Sequence, residues 1–317
     1  MRGTRRLFLQ AGAAAAVLPS TGGDLTDRAR DGQDASAAEA PHMARSIGVD
    51  AGGRMTLPVQ IDGAGPFAFV VDCAAEISVI SGQLADRLSL PDAGEITMHS
   101  LAGAERVGTV RAASLVAGAL HEDGVRLIRG SASALGDVDG LLGADVLQGH
   151  RLVFRFGARP SITIERARRE WIWPLSGRRR ISFQSPTTRA QGGLLTLRAR
   201  VGQTETAVIL DSGAVTSVVN LALIASSGAT RLPDALLRQA NILSPTGLPI
   251  RVAPYLLPEL AFGGVTLRNM PVFGADLHTF GVLGLADQPA ILLAMDALSR
   301  FRLVVVDTLR NELILQR

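Results

Sequence analysis

Lysine is absent from the 317 residues, and all 32 basic side chains are arginine. That excludes a P-loop lysine and a Schiff-base lysine, and with them two large classes of phosphate and carbonyl chemistry. The single cysteine, Cys73, allows no internal disulfide and no cysteine-based zinc cluster. The five histidines, His42, His99, His121, His150 and His278, show neither His-x-x-x-His nor Glu-x-x-His spacing, so neither a metal nor another cofactor is expected. No Gly-x-Ser-x-Gly elbow occurs, which removes support for a serine hydrolase. The fold must rest on its core, and 47% apolar content over this length suits two lobes better than one.

The apolar run at residues 11–18 is too short to span a bilayer. It follows Met1-Arg2-Gly3-Thr4-Arg5-Arg6-Leu7-Phe8-Leu9-Gln10, and a basic start before a short apolar run is an export-signal pattern. Thr4-Arg5-Arg6-Leu7-Phe8-Leu9 resembles the twin-arginine type, which carries folded proteins across the bacterial inner membrane. Residues 1–20 are therefore read as a signal peptide, and residues 21–44, rich in Ala, Gly, Asp and Ser, as a flexible leader. The alternative is an unprocessed amphipathic start. Export predicts a periplasmic or secreted protein with no stable membrane insertion once the signal is removed. Arg2, Arg5 and Arg6 go with that segment, leaving 29 arginines against 29 acids, so charge gives no argument for a nucleic-acid partner.

From residue 45 to 165, short apolar runs are broken by Gly, Pro and Asp: 55–61, 67–71, 108–116, 125–128, 152–156 and 161–164. This spacing predicts a β-rich lobe, with short helices at 81–88 and 144–148. Residues 166–190 differ, with Arg166, Arg168, Arg169, Arg178, Arg179 and Arg180 around Trp171-Ile172-Trp173-Pro174. They read as a solvated connection with its tryptophans packed on a lobe, an anionic docking patch being the alternative. A second lobe, 191–317, repeats the order with expected strands at 194–201, 207–210, 256–262, 301–306 and 312–315.

Two apolar runs end in an aspartate followed by small residues: Phe69-Val70-Val71-Asp72-Cys73-Ala74-Ala75 and Val208-Ile209-Leu210-Asp211-Ser212-Gly213-Ala214. The match continues from Glu76-Ile77-Ser78-Val79-Ile80-Ser81 to Val215-Thr216-Ser217-Val218-Val219-Asn220. It returns where Leu142-Gly143-Ala144-Asp145-Val146-Leu147 and Arg151-Leu152-Val153 parallel Leu293-Ala294-Met295-Asp296-Ala297-Leu298 and Arg302-Leu303-Val304. Matched blocks in one order are the mark of an internal repeat. Two such carboxylates meeting across a pseudo-two-fold axis cannot both ionise easily, so they share a proton and supply a base and an acid together. Asp145 and Asp296 precede short helical patterns and are read as caps.

Asp211-Ser212-Gly213-Ala214 after Val208-Ile209-Leu210 resembles the active-site turn of retropepsin-like aspartic proteases, and Gly140-Leu141-Leu142-Gly143 resembles the apolar-apolar-glycine element that threads beneath it. The resemblance covers both lobes. It implies a mainly all-β fold of two closed β-barrel lobes in tandem with a few short helices, an inter-lobe cleft, and Asp72 with Asp211 as the catalytic pair. It further implies a peptide or protein substrate and no cofactor, and one chain carrying both aspartates is expected to work as a monomer.

The first turn departs from the family pattern. Asp72-Cys73-Ala74-Ala75 stands where the family has Asp-Thr/Ser-Gly-Ala/Ser, so a weak thiol donor replaces the hydroxyl that hydrogen-bonds across the lobe junction. Ala74 adds a Cβ where glycine allows close backbone approach, which is expected to loosen the hydrogen bonding of Asp72. In the second lobe Leu292-Leu293-Ala294 ends in alanine, and Val282-Leu283-Gly284 is its rival, 73 residues after Asp211 against 71 from Asp72 to Gly143. Gly103 in Ser100-Leu101-Ala102-Gly103 and Gly247 in Ser244-Pro245-Thr246-Gly247 mark possible flaps over the cleft or ordinary hairpin turns. Three readings follow: an exported aspartic endopeptidase; a pseudoprotease that binds a peptide or protein in the same cleft; and a homodimer pairing two second lobes.

Overall fold

The computed structural model describes residues 8–9, 48–168, 178–182, 194–233 and 241–317. The expected leader, nearly all of the expected signal, and Trp171 and Trp173 lie outside them. The described chain is mostly strand with short helices, and none of these helices is long and apolar enough to cross a membrane.

Alternation builds the outer strands and continuous apolar runs build the inner ones. In Thr56–Ile61, Leu57, Val59 and Ile61 point inward while Pro58 and Gln60 face solvent. Its partner Ala64–Val71 is exposed over its first half, then buried on both faces from Ala68 to Val71 as it dives toward the molecular centre. Thr204–Leu210 repeats the behaviour, with Val208, Ile209 and Leu210 fully covered.

The first lobe is one sheet containing these two strands with Val79–Ser81, Asp92–His99, Ala104–Arg111, Ser114–Ala117, Leu120–Asp123, Arg126–Gly130 and Gly140–Leu142. Phe8–Leu9 lies parallel beside Met98 and His99 at its edge. The second lobe is a seven-stranded sheet of Thr196–Val201, Thr204–Leu210, Val218–Val219, Thr230–Arg231, Ala253–Phe262, Val265–Gly274 and Ala290–Leu293. There the pairing of Arg200 with Ala261 closes six strands into a barrel. The first sheet curls into a half-barrel with no such closing pair among the described residues.

A third sheet joins the lobes. Ser161–Arg166 and His150–Arg155 from the first half meet Leu303–Asp307 and Glu312–Gln316 from the second, with His150–Arg155 antiparallel to Leu303–Asp307. The repeated Arg-Leu-Val segments thus cross at the interface, and Arg151 places its guanidinium 2.7 Å from Asp307 in full burial. Removing one partner of such a pair strands the other charge and costs about 3–5 kcal/mol. Part of the arginine-rich connection, Arg178–Ser182, adds the fifth strand of this sheet rather than running as a solvated linker.

The short helices expected at 81–88 and 144–148 form as Gly82–Arg87 and Ala144–Leu147, and the second lobe adds Leu221–Ser226 where none is expected. Ser81 caps Gly82–Arg87 by accepting from the Leu84 amide, and Asn220 caps Leu221–Ser226 by accepting from the Leu223 amide. The expected strand at 108–116 breaks at Ala112 and Ala113 into two. Asp145 and Asp296 occupy the first turns of Ala144–Leu147 and Met295–Leu298, whereas Gly143 and Ala294 hold the cap positions. They are braces rather than caps.

Candidate active site

Each aspartate is delivered by a buried strand held in parallel register with a short apolar strand. Val71 pairs with Leu142 and Leu210 with Leu293. The next amide of each, Asp72 and Asp211, donates to the carbonyl of Leu142 and Leu293 at 2.9 Å in both lobes. The counterpart of Leu141-Leu142-Gly143 is therefore Leu292-Leu293-Ala294, while Val282-Leu283-Gly284 belongs to the end of the helix His278–Val282. At Gly140 a Cβ would fall 2.3 Å from the Phe69 ring, so glycine is required for the two strands to close there.

Behind each turn sits a matched serine and aspartate. Ser78 Oγ donates to Asp145 at 2.7 Å and accepts from the Gly143 amide; Ser217 Oγ donates to Asp296 at 2.6 Å and accepts from the Ala294 amide. Burial pushes the Asp145 carboxyl up to about 6 and also raises Asp296. Both serines lie six residues after their catalytic-type aspartate, so the repeat itself could have revealed them.

The two turns abut at the molecular centre. The Asp72 carboxylate lies against the backbone of Gly213, where a Cβ would approach its Cγ to 2.3 Å. Ser212 Oγ donates to the Val71 carbonyl at 2.7 Å and accepts from the Cys73 amide at 3.1 Å, tying the second turn to the first. Its oxygen also lies 3.2 Å from Cys73 Sγ. Among the described residues Cys73 makes no reciprocal bond to the Leu210 carbonyl, as a hydroxyl there is expected to do. Burial pushes its thiol up to about 12, so Cys73 is a small buried residue and not a nucleophile.

Both carboxylates are fully buried, and Oδ2 of each has no hydrogen-bond partner among the described residues. Oδ1 of Asp211 accepts from the Gly213 and Ala214 amides, both at 3.0 Å; Oδ1 of Asp72 accepts from the Ala74 amide at 2.8 Å. Burial raises Asp72 to about 6, opposed by the Ala74 amide and by the charge of Arg54. Burial and then the negative charge of Asp72 raise Asp211 well above the usual carboxylate range. The Asp72 charge thus disfavours ionisation of Asp211, an arrangement that favours keeping a proton on the pair.

The possible flap glycines lie at hairpin turns that reach the opposite lobe. Gly103 joins Asp92–His99 to Ala104–Arg111, and this turn docks on the second lobe: the His278 amide donates to the Leu101 carbonyl at 3.0 Å, and Thr279 Oγ1 donates to the Ser100 carbonyl. His99 Nδ1 lies 2.9 Å from His278 Nε2 with the rings stacked. Gly247 joins Asn241–Leu243 to Pro249–Arg251, and there the Ser131 amide of the first lobe donates to the Pro245 carbonyl at 3.1 Å. Each turn thus rests on the opposite lobe. Arg54 is a buried neighbour of the pair that sequence reading missed, and nothing in its setting, Gly52-Gly53-Arg54-Met55, signals burial. No group of three or more His, Cys, Asp or Glu side chains is placed to share a metal ion among the described residues.

A family model described as aspartyl protease matches residues 57–146 and 197–297, each stretch enclosing one aspartate and its threading strand. Among solved structures, a retropepsin-like aspartic protease from Rickettsia conorii is 17% identical, over 44% of this chain and 90% of that one, at a TM-score of 0.28. An aspartic proteinase from Irpex lacteus is 13% identical over 83% of this chain and 94% of that one, at a TM-score of 0.43. No curated protein matches the chain.

Proposed function

The chain belongs to the aspartyl protease family, and from that membership we propose that it cleaves peptide bonds with a water activated between Asp72 and Asp211. The observation that carries this reading is the abutment of the two aspartate turns, which bury both carboxylates fully, leave their Oδ2 atoms without a partner among the described residues, and set the Asp72 charge against ionisation of Asp211. With one proton on the pair, the ionised carboxylate takes a proton from water as it attacks the carbonyl carbon. The protonated partner gives its proton to the carbonyl oxygen and later serves the leaving amine. Both carboxylates sit above their ordinary range, so the singly protonated pair persists through mildly acid pH and activity falls as the second proton leaves.

The substrate class is a peptide or protein strand held extended beneath the turns at Gly103 and Gly247. The test is cleavage of a peptide library by the mature protein between about pH 3 and 7, the span over which such a pair titrates. Activity lost in Asp211→Asn fits, and no cleavage anywhere in that span ends the reading.

A second reading, a pseudoprotease that binds without cleaving, is favoured by Cys73 and Ala74. The Ala74 amide meets Asp72 at 2.8 Å and the Ala75 amide acts on it more weakly, whereas Asp211 takes the Gly213 and Ala214 amides alike at 3.0 Å, and the cross-lobe hydroxyl is present on one side only. Cys73→Thr with Ala74→Gly separates the two readings. Cleavage gained from zero supports degeneration, and equal activity before and after removes its motive.

We further propose export to the periplasm or beyond, on the basic-then-apolar start with Arg5-Arg6, and a monomeric mature protein. Both aspartates of the pair come from one chain, so no second copy is needed to complete it. Retention of Arg5→Lys with Arg6→Lys in the cytoplasm, and light scattering of the active species, check these two points.

A further inference from the structure

Arg54 is 3% exposed and stands just before Thr56–Ile61, the strand that pairs with the one carrying Asp72. Its Nε donates to Asp50 Oδ2 at 2.5 Å, its Nη2 to the Leu135 carbonyl at 3.0 Å, and its Nη1 reaches the Gly213 carbonyl at 3.5 Å. Asp50 is locked in turn, its Oδ1 accepting from the amides of Gly52 at 3.0 Å and Arg54 at 2.7 Å. The guanidinium therefore bridges the lobes. Asp50 and Leu135 belong to the first, and Gly213 is the second-lobe residue on which the Asp72 carboxylate rests.

A guanidinium is taken out of water at a cost that pairing only partly offsets. The fork spends one edge on Asp50 and one nitrogen on Leu135, which leaves Nη1 on the turn that forms the floor of the aspartate pair. We propose that Arg54, held by Asp50, is a positioning residue that clamps the second active-site turn against the first and keeps the aspartate pair singly ionised at acid pH. This rests on the reading of Asp72 and Asp211 as the reacting pair. The Arg54 charge pulls both carboxylates down, against the burial that is the largest influence on each. Other ionisable groups lie on the surrounding elements, and among them Arg300 acts on Asp296. Asp50 faces Arg54, Asp137 takes the Ala51 amide, and Asp139 takes the Ala68 amide. Asp145 and Asp296 brace the turns from behind, and the Cys73 thiol stays protonated.

The test follows kcat/KM against pH for a cleaved peptide, together with the carboxyl-carbon resonances of labelled aspartate in the same full-length mature protein. Arg54→Met is expected to move the acid limb upward by about one pH unit, a loss of about tenfold in kcat/KM on that limb. Asp50→Asn removes the charge that offsets Arg54 while keeping an acceptor for the Gly52 and Arg54 amides, so it is expected to move the limb downward. A purely structural Arg54 would lower kcat at every pH, leave the limb in place, and give both variants the same sign. Should Arg54→Met not fold, Asp50→Asn decides alone: a downward movement supports the clamp, and an unmoved or upward one overturns it. If no peptide is cleaved, the catalytic reading falls while the carboxyl titration still decides the role of Arg54. If cleavage occurs and neither limb nor titration moves, the role of Arg54 falls and the catalytic reading stands.

Discussion

The two aspartate turns share one backbone plan and differ in their chemistry. Both are threaded by an apolar strand, both have a serine and an aspartate behind them, and both aspartate amides donate to a carbonyl of the threading strand at 2.9 Å. The second turn has the hydroxyl and the glycine, and it ties itself to the first through Ser212. The first contributes a sulfur and a methyl in their place. One competent half is enough to fix where both carboxylates sit, because the Ser212 hydroxyl both donates and accepts across the junction. The second half then decides how tightly Asp72 is held.

The sharpest way to break this comparison is to make the second turn resemble the first. Gly213→Ala puts a Cβ 2.3 Å from Asp72 Cγ, against a fully buried carboxylate that must shift to admit it. It is expected to cost about 3 kcal/mol by denaturant unfolding and to displace Asp72. Ala74→Gly, the reverse change in the first turn, is expected to stay within about 1 kcal/mol. Equal costs would show that the turns are interchangeable and the asymmetry ornamental.

The repeat made this plan legible in advance. Both lobes need the same strand, turn, serine and threading element, so the sequence carries each twice. The caps Ser81 and Asn220 stand at matching places in the repeat, although no helix is expected at 221–226. Asp92–His99 could not be read, because only Ile96 and Met98 of that strand are buried and no alternation of apolar residues shows. Val265–Gly274 hides behind Arg268, Asn269 and Pro271. The docking of Leu101 on the second lobe and the burial of Arg54 depend on how two lobes meet. No local pattern encodes that meeting.

The next largest effect tests whether the carboxylates oppose one another. Their folded-state values lie above 3.8, so between that value and about 6 the folded protein holds protons that the unfolded chain has released. Stability therefore falls as pH rises through this window. Asp72→Asn and Asp211→Asn, which keep an amide acceptor without the charge, are each expected to stabilise the fold by on the order of 2 kcal/mol at neutral pH. The gain should vanish near about pH 3, where wild-type carboxyls are protonated in both states. A variant less stable than wild type at neutral pH would mean the charges do not meet.

A smaller difference separates the two residues that follow the aspartates. Ser212→Ala leaves the buried Cys73 amide and Val71 carbonyl without their shared partner, at an expected cost of about 1–2 kcal/mol. Cys73→Ala removes a contact at 3.2 Å that satisfies no buried backbone group, and its cost is expected below about 1 kcal/mol. Thermal unfolding of the two variants settles the order, and a larger loss at Cys73 would reverse the account of which turn holds the junction together.

The smallest effect concerns how the first flap turn rests on the second lobe. Burial and then the nearby His278 ring lower the His99 pKa below 6.5. A histidine depressed in the folded state favours docking fully above its unfolded value and loses that contribution as pH falls through the lower, folded value. Two ring nitrogens 2.9 Å apart can share a hydrogen bond only while at least one of them is free to accept. Acidification should therefore loosen the turn. Amide exchange at His278, whose N–H is bonded to the Leu101 carbonyl, is expected to quicken a few-fold between about pH 7 and 5, beyond the intrinsic pH dependence of exchange. The increment should disappear in His99→Gln, which cannot become charged. The Gly247 turn is fastened to the first lobe by the Ser131 amide and by Thr246 Oγ1, which donates to the Glu105 carboxylate, so its exchange should be unchanged in His99→Gln, and an increment there abolished by that substitution would remove the His99–His278 contact as the local cause.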